Sequence, residues 1–310
     1  MTTVDDDSSV VIEPCAPADR RKALSLAFGR LSPDDRERHV AYTLAGAEMN
    51  PASVAGLLIA RHARTICGAI LVDVQAGHTA LLHPPGISVA GPHIKLARQL
   101  IDAALAHCRA QGVRLVQALL ETDASPTAEW LTDAGLQHTV DLLYLVSTRE
   151  HFPEFAPTTS LEFQLFTPAD ETRLAQVIER TYIDSRDCPA LDGTREMRDV
   201  IEGYRYAGAP DSARWFFARQ GAQDVGCLLL SDHPAHDQWE LVYMGLVPEV
   251  RGRTLGIDVA RYAQWQTRRA ARGKLVLAVD ADNEPALKMY SACGFLAWDR
   301  RSVFVRLLES

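Results

Sequence analysis

The stretch MGLVPEVRGRTLGIDVARYA, residues 244–263, contains an apolar run, a proline that ends it, a loop with two glycines and two arginines, and a helical pattern. That order predicts a strand running into a helix whose first-turn N–H groups lack intrahelical partners and point back into the loop. Gly252 and Gly256 let the backbone come close to a bound group, and the helix macrodipole favours negative charge at that end. Arg251 and Arg253 add two permanent cations. The stretch predicts an anion cradle that suits a pyrophosphate, although on its own it reads equally as a solvated turn. It matches neither G-x-G-x-x-G nor the Walker pattern, which disfavours the two nucleotide-binding classes those motifs define.

Outward from this stretch, KLVLAVD (274–280) reads as a strand, EPALKMYSAC (284–293) as a helix and FVRLL (304–308) as a last strand. Upstream lie a strand LEFQLF (161–166), a helix ADETRLAQVIERTY (169–182), a polar loop DSRDCPALDG (184–193) and a helical stretch TREMRDVIEGYRYA (194–207). Three strand-like runs follow, WFFAR, VGCLLLS and WELVYMGLV; the turn-rich DHPAHDQ between the last two predicts an antiparallel meander. Strands and helices in this irregular alternation predict an α+β fold with a mixed, mostly antiparallel sheet flanked by helices.

A faint repeat divides the chain. Pro17-Ala18-Asp19 recurs as Pro168-Ala169-Asp170, and Ala110-Gln111-Gly112 as Ala271-Arg272-Gly273. Asp123-Ala124-Ser125-Pro126 recurs as Asp282-Asn283-Glu284-Pro285, and Ala134-Gly135-Leu136 as Cys293-Gly294-Phe295. Four landmarks in one order, in 310 residues, predict two copies of one fold, in line with roughly 150 residues per domain. The segment HFPEFAPTTS (151–160), with Pro153 and Pro157, reads as the linker, giving domains 1–152 and 160–310.

Composition narrows the classes. Hydrophobic residues make up 47% and charged residues 23%, enough apolar material for a core in each half. The net charge of −8 argues against a nucleic-acid binder, which needs clustered cations, and mildly favours a cationic partner. No apolar run approaches a membrane span and the acidic start MTTVDDDSSV is no signal peptide, so a cytoplasmic protein is expected. The six cysteines form no C-x-x-C pair, so no zinc or redox centre is expected. His233 and His236, in DHPAHD, read as a β-turn around Pro234 and not as metal ligands. Cys188 has no spacing that supports a nucleophile role.

On the residues quoted so far, the second half resembles the GNAT superfamily of N-acetyltransferases. Leu246-Val247-Pro248 followed by Arg251-Gly252-Arg253-Thr254-Leu255-Gly256 is similar to the family's acetyl-CoA loop, with Thr254 where the family usually has its first glycine. Asn283, Ala286 and Tyr290 keep the family spacing, and Gly294-Phe295 follows. The resemblance implies acetyl-CoA as cosubstrate, no metal, and direct transfer to a primary amine of a small molecule or a peptide. It implies cofactor contacts from Met244, Leu246, Arg251, Gly252, Arg253, Thr254, Leu255, Gly256 and Asn283. Backbone groups of Met244 and Leu246 would pair with the pantetheine arm. Tyr290 would be the general acid at the departing sulfur; without the resemblance it reads as a core aromatic beside Leu287 and Phe295. Glu240 would be the base that deprotonates the amine; on its strand it reads equally as an outward polar residue. Tyr243 is a second group for lining the site, and the Asp184–Cys188 loop would shape the acceptor side.

Through the repeat the whole chain resembles a tandem GNAT protein. The first half has HPPGISVAGPHIKLARQL in place of the cofactor loop, with Ala124 and Leu131 where the second has Asn283 and Tyr290, so it is expected to be degenerate and non-catalytic. Monomer and homodimer are both compatible with two such domains in one chain. A non-catalytic CoA-binding sensor is the alternative function.

Overall fold

The computed structural model describes residues 10–88, 94–122, 125–207 and 214–309. Gly91 and the Asp123-Ala124 pair, which belong to the first-half segments compared above, lie outside the described residues. In chain order the elements of the first half are β1 (Val11–Pro14), α1 (Arg20–Ala27), α2 (Pro33–Met49), β2 (Leu57–His62), β3 (Thr65–Gln75), β4 (Thr79–Ile87), α3 (Ile94–Ala110), β5 (Leu115–Glu121), α4 (Ser125–Asp133) and β6 (Gln137–Thr148). The second half holds β7 (Glu162–Leu165), α5 (Glu171–Tyr182), α6 (Met197–Tyr206), β8 (Arg214–Gln220), β9 (Gln223–His233), β10 (Gln238–Leu246), α7 (Leu255–Arg269), β11 (Lys274–Asp280), α8 (Glu284–Ala292) and β12 (Leu296–Leu307). The fold is mixed and mostly antiparallel, as the alternation of elements predicted.

Two compact units result, one running to Thr139 and completed by the residues from Ser302 on, the other Val140–Arg301. The boundary expected at 151–160 is therefore displaced. Phe152 and Leu161 are buried in the second core, and the Thr159 hydroxyl donates to Asp258 on α7 at 2.7 Å. Prolines made this segment irregular, but Phe152 within it and Leu161 just after it had a core to enter, and their burial decided its place while Phe155 stays exposed. Most of β6 serves the second unit, where Lys274–Asp280 of β11 pairs antiparallel with Leu142–Thr148.

Within the second unit β8, β9 and β10 form the expected antiparallel meander. The continuous apolar run of β9 is explained by burial on both faces. Leu228 and Leu230 face a core with Val259, Ala260 and Ala263 of α7, while Cys227 and Leu229 face one with Leu174, Val177 and Ile178 of α5.

The repeat is visible in strand pairing. Each unit contains a parallel pair, Thr79–Leu81 of β4 with Leu115–Gln117 of β5, and Gln238–Glu240 of β10 with Lys274–Val276 of β11. Thr79 and Gln238 are 159 residues apart, as are Leu115 and Lys274. Both Pro-Ala-Asp landmarks form a short 3₁₀ turn that leads into the first helix of their unit. Gly86 and Gly245, also 159 apart, are squeezed in the same way. A Cβ on Gly86 would sit 1.8 Å from the Leu26 carbonyl oxygen of α1, and one on Gly245 would sit 2.6 Å from the Thr181 hydroxyl of α5.

Candidate acyl-transfer cleft

The parallel pairing of β10 and β11 stops at Glu240 and Val276, and β10 kinks at a bulge between Leu241 and Tyr243. Beyond that point, among the described residues, no strand pairs with the edge of β10 that faced β11, so its backbone borders open space until the Leu246 carbonyl, which accepts from Arg251. A cleft of about 350 Å³ fills the gap, with Met244 and Leu246 on one wall and Ala278 and Val279 on the other. Asn283 and Tyr290 of the α8 segment also line it, as do Asp184, Ser185, Arg186 and Asp187 of the loop after α5.

Tyr290 is 6% exposed and stands edge-on to Phe295, with ring centroids 5.3 Å apart. It is a core aromatic, as it reads without the resemblance, and it also lines the cleft. Burial, and then the nearby Asp187, push its pKa well above the phenol value, so the hydroxyl stays protonated and remains a donor. Asn283 caps α8, its side-chain oxygen accepting from the Ala286 N–H at 3.3 Å.

In the loop between β10 and α7, Gly252 takes a left-handed conformation, φ +74°. Thr254 also takes a left-handed conformation, φ +63°, ψ −4°, and its hydroxyl turns back to the Arg253 carbonyl at 2.6 Å. A β-branched residue is strained there, which is the physical reason for a glycine at that place. The Ile257 N–H makes the first turn's bond, to the Thr254 carbonyl, leaving the Leu255 and Gly256 amides at the open N-terminus of α7.

Arg251 lines the cleft, but its guanidinium is not a free anion ligand. Its Nε donates to the Leu246 carbonyl at 2.9 Å, Nη1 to Ile183 at 2.8 Å and Asp184 at 3.0 Å, and Nη2 to Thr181 at 2.8 Å. These are orphan carbonyls at the C-terminal end of α5 and of β10, and one planar fork satisfies them together. The expectation of two cations for a pyrophosphate is corrected accordingly: Arg251 clasps the end of α5 and the loop after it to the end of β10, and Arg253 is exposed, with no partner among the described residues.

Glu240 is not brought to the cleft. Its carboxylate lies 2.8 Å from His233 Nε2, and the pairing raises the histidine pKa. The sequence reading missed this because strand alternation gives the parity of Glu240 but not the point where the two strands part, and Glu240 lies on the paired side of that point. The other polar groups of DHPAHD are also engaged: Asp232 takes both arms of Arg272 at 2.7 Å, and Asp237 accepts from the Gly273 N–H at 3.3 Å.

Two groups escaped the sequence reading. Asp280, 6% exposed at the end of β11, accepts from the Cys188 N–H at 3.0 Å and the Asp282 N–H at 2.8 Å, while its own N–H donates to Asp187 at 3.2 Å. Thr181 pairs with the Tyr243 hydroxyl at 2.7 Å, and Tyr243 stacks on Tyr204, whose hydroxyl meets that of Tyr182 at 3.0 Å. The signal for Asp280 was a carboxylate ending the apolar run KLVLAVD. Cys188 is held at φ +49°, and burial followed by the neighbouring aspartates pushes its thiol up to about 12, which leaves it protonated and unsuited to nucleophilic attack.

A splayed parallel pair, a bulged strand and an amide-lined helix N-terminus define the acyl-CoA N-acyltransferase class of fold. Residues 178–295, which lie within the second unit, match the model of the Acetyltransferase (GNAT) family. No curated protein matches the sequence. Solved structures cover nearly the whole chain. A GCN5-related N-acetyltransferase from Sphaerobacter thermophilus superposes with a TM-score of 0.64 at 14% identity, covering 99% of this chain and 98% of the other. A tandem GNAT protein from the clavulanic acid biosynthesis pathway gives 0.54 at 15%, covering 97% and 99%. An acetyltransferase described as putative from Pyrococcus horikoshii gives 0.52 at 12%, covering 97% and 90%. These likenesses establish the fold, and with it the tandem layout.

Proposed function

We propose that the chain is an acetyl-CoA-dependent N-acetyltransferase that works from the cleft of its second unit and transfers the acetyl group directly to a primary amine of a small molecule or a peptide. The observation that carries this reading is the placement of the buried, protonated Tyr290 in the cleft opened by the splay of β10 from β11. The free edge of β10 at Met244 and Leu246 suits an extended amide-bearing arm. The Gly252–Gly256 loop with Arg253 suits a pyrophosphate, and Asn283 retains its NH₂ group for the cofactor. The thioester carbonyl would then lie near the bulge and its sulfur near Tyr290, whose hydroxyl donates to the leaving thiolate.

The first unit is proposed not to bind CoA. By the 159-residue correspondence, Pro85 stands where the second unit has Met244, and a proline has no N–H to offer a bound arm. Leu131 replaces Tyr290 and is wholly buried in an apolar cluster. Calorimetric titration with acetyl-CoA tests both statements, with one site per chain expected. Tyr290→Phe should keep that site and lose turnover by about 10²–10³-fold, the usual reach of general acid catalysis. A variant that turns over normally would remove the tyrosine from the mechanism, and absence of acetyl-CoA binding would end the enzyme reading.

A further inference from the structure

We propose that Asp187 is the general base of this site, taking the proton from an acceptor amine that enters as an ammonium ion; this rests on the N-acetyltransferase reading above. Asp187 lines the same cleft as Met244, Tyr243 and Tyr290, on the acceptor side, whereas Glu240 does not line it. Its position is fixed by several bonds. Its N–H donates to the Ser185 hydroxyl at 3.1 Å, and its Oδ1 accepts from the Asp280 N–H at 3.2 Å. On the following residue, the Cys188 N–H is held by the buried Asp280 carboxylate, and four residues earlier the Asp184 carbonyl is held by Arg251. The loop is pinned at both ends; of the two carboxylates it brings to the cleft, Asp184 and Asp187, Asp187 is the one hydrogen-bonded to the end of β11.

The charges around it suit the task. Asp280 from the end of β11 and Asp192 from the same loop face it, with Tyr290 of α8, Tyr243 of β10 and the protonated Cys188 also close by. Although Asp187 keeps an exposed face, crowding of its carboxyl by protein atoms first, then the charges of Asp280 and Asp192, raise its pKa above the usual carboxylate range against the opposing hydrogen bond from the Asp280 N–H. In the reaction, the acceptor R–NH₃⁺ gives one proton to the Asp187 carboxylate. The free amine attacks the thioester carbonyl, forming the C–N bond, and the C–S bond breaks with its electron pair on sulfur. The second nitrogen proton is released as the amide forms, the thiolate is protonated from Tyr290, and the phenol and Asp187 re-equilibrate with solvent. The products are an amide, CoA thiol and one net proton.

The test follows thiol release from acetyl-CoA by the full chain. The acceptors are benzylamine, tyramine and spermidine, which are ammonium ions at neutral pH, and aniline, which is already neutral. Asp187→Asn, which keeps an acceptor for the Asp280 N–H, is expected to lower kcat by about 10²–10³-fold with the ammonium acceptors and to abolish the rising acid limb of the pH profile. The same variant should keep aniline turnover within a few-fold and leave the acetyl-CoA Kd unchanged, and Asp187→Glu should recover part of the rate. An unchanged kcat and pH limb, or equal losses with aniline and benzylamine, would overturn the base assignment while leaving the enzyme intact. A wild-type chain that binds acetyl-CoA and releases no thiol with any probe would overturn the reading beneath it as well.

Discussion

At the scale of single residues, Thr254 and Asp187 show structure held against local preference. Left-handed backbone at a β-branched residue costs about 1–2 kcal/mol, so Thr254→Gly should raise the midpoint of thermal unfolding and tighten acetyl-CoA binding at the loop, checked by calorimetry on both variants. Asp187 is a conflict of charge. Its folded pKa lies above the unfolded value, so the native state binds more protons, and stability falls as pH rises through the window between the two values. Asp187→Asn should therefore be more stable than the wild type at neutral pH, with the difference vanishing once the pH drops below the unfolded carboxylate value. Chemical denaturation at several pH values reads this directly, and a gain in stability with a loss of rate is the signature of a working group. Both residues were visible in the sequence as a departure from a pattern and as one of several loop carboxylates. Their energetic meaning came from φ at one and from the facing aspartates at the other, which local sequence does not encode.

At the scale of elements, the site is a set of ends: of β10, of β11, of α5, and the starts of α7 and α8. The ends were legible because Pro248, Gly252, Asn283 and Pro285 punctuate the periodic runs. The bonds that tie them together were not. The Arg251 fork joins the end of α5 to the end of β10, and lysine cannot reproduce four directed bonds. Arg251→Lys should thus raise the acceptor KM and speed hydrogen exchange in residues 181–188, while Arg253→Ala should weaken acetyl-CoA without touching that loop. Exchange mass spectrometry and titration of the two variants separate a clasp from a phosphate ligand. Glu240 illustrates the same limit. Its parity on β10 was readable, but the end of its pairing with β11 is a property of two strands 36 residues apart in the chain.

For the molecule as a whole, the chain repeats one fold twice, and the cleft described above lies in the second copy. The repeat was legible because its landmarks are turns and helix caps, where backbone geometry restricts the residue types that fit. A direct consequence is that acetyl-CoA should protect the second unit selectively: with saturating ligand, slowed exchange is expected in the loops around 184–188 and 251–256 and not in β4 of the first unit. Equal protection in β4 would show that Pro84 and Pro85 do not bar the arm. The boundary of the units was not legible. Pro153 and Pro157 marked a break in periodicity, yet Phe152 and Leu161 are core residues of the second unit, and most of β6 and the end of β12 each serve the unit of the other half. The sequence by itself determined the α+β class, the tandem repeat, the loop that opens α7 and the tyrosine that follows it, because caps, turns and periodicity are local. Only the tertiary structure decided which strand completes which sheet, that Arg251 is a clasp, that Glu240 is turned to His233, and that Asp187 faces the cleft, because each depends on long-range pairing and burial.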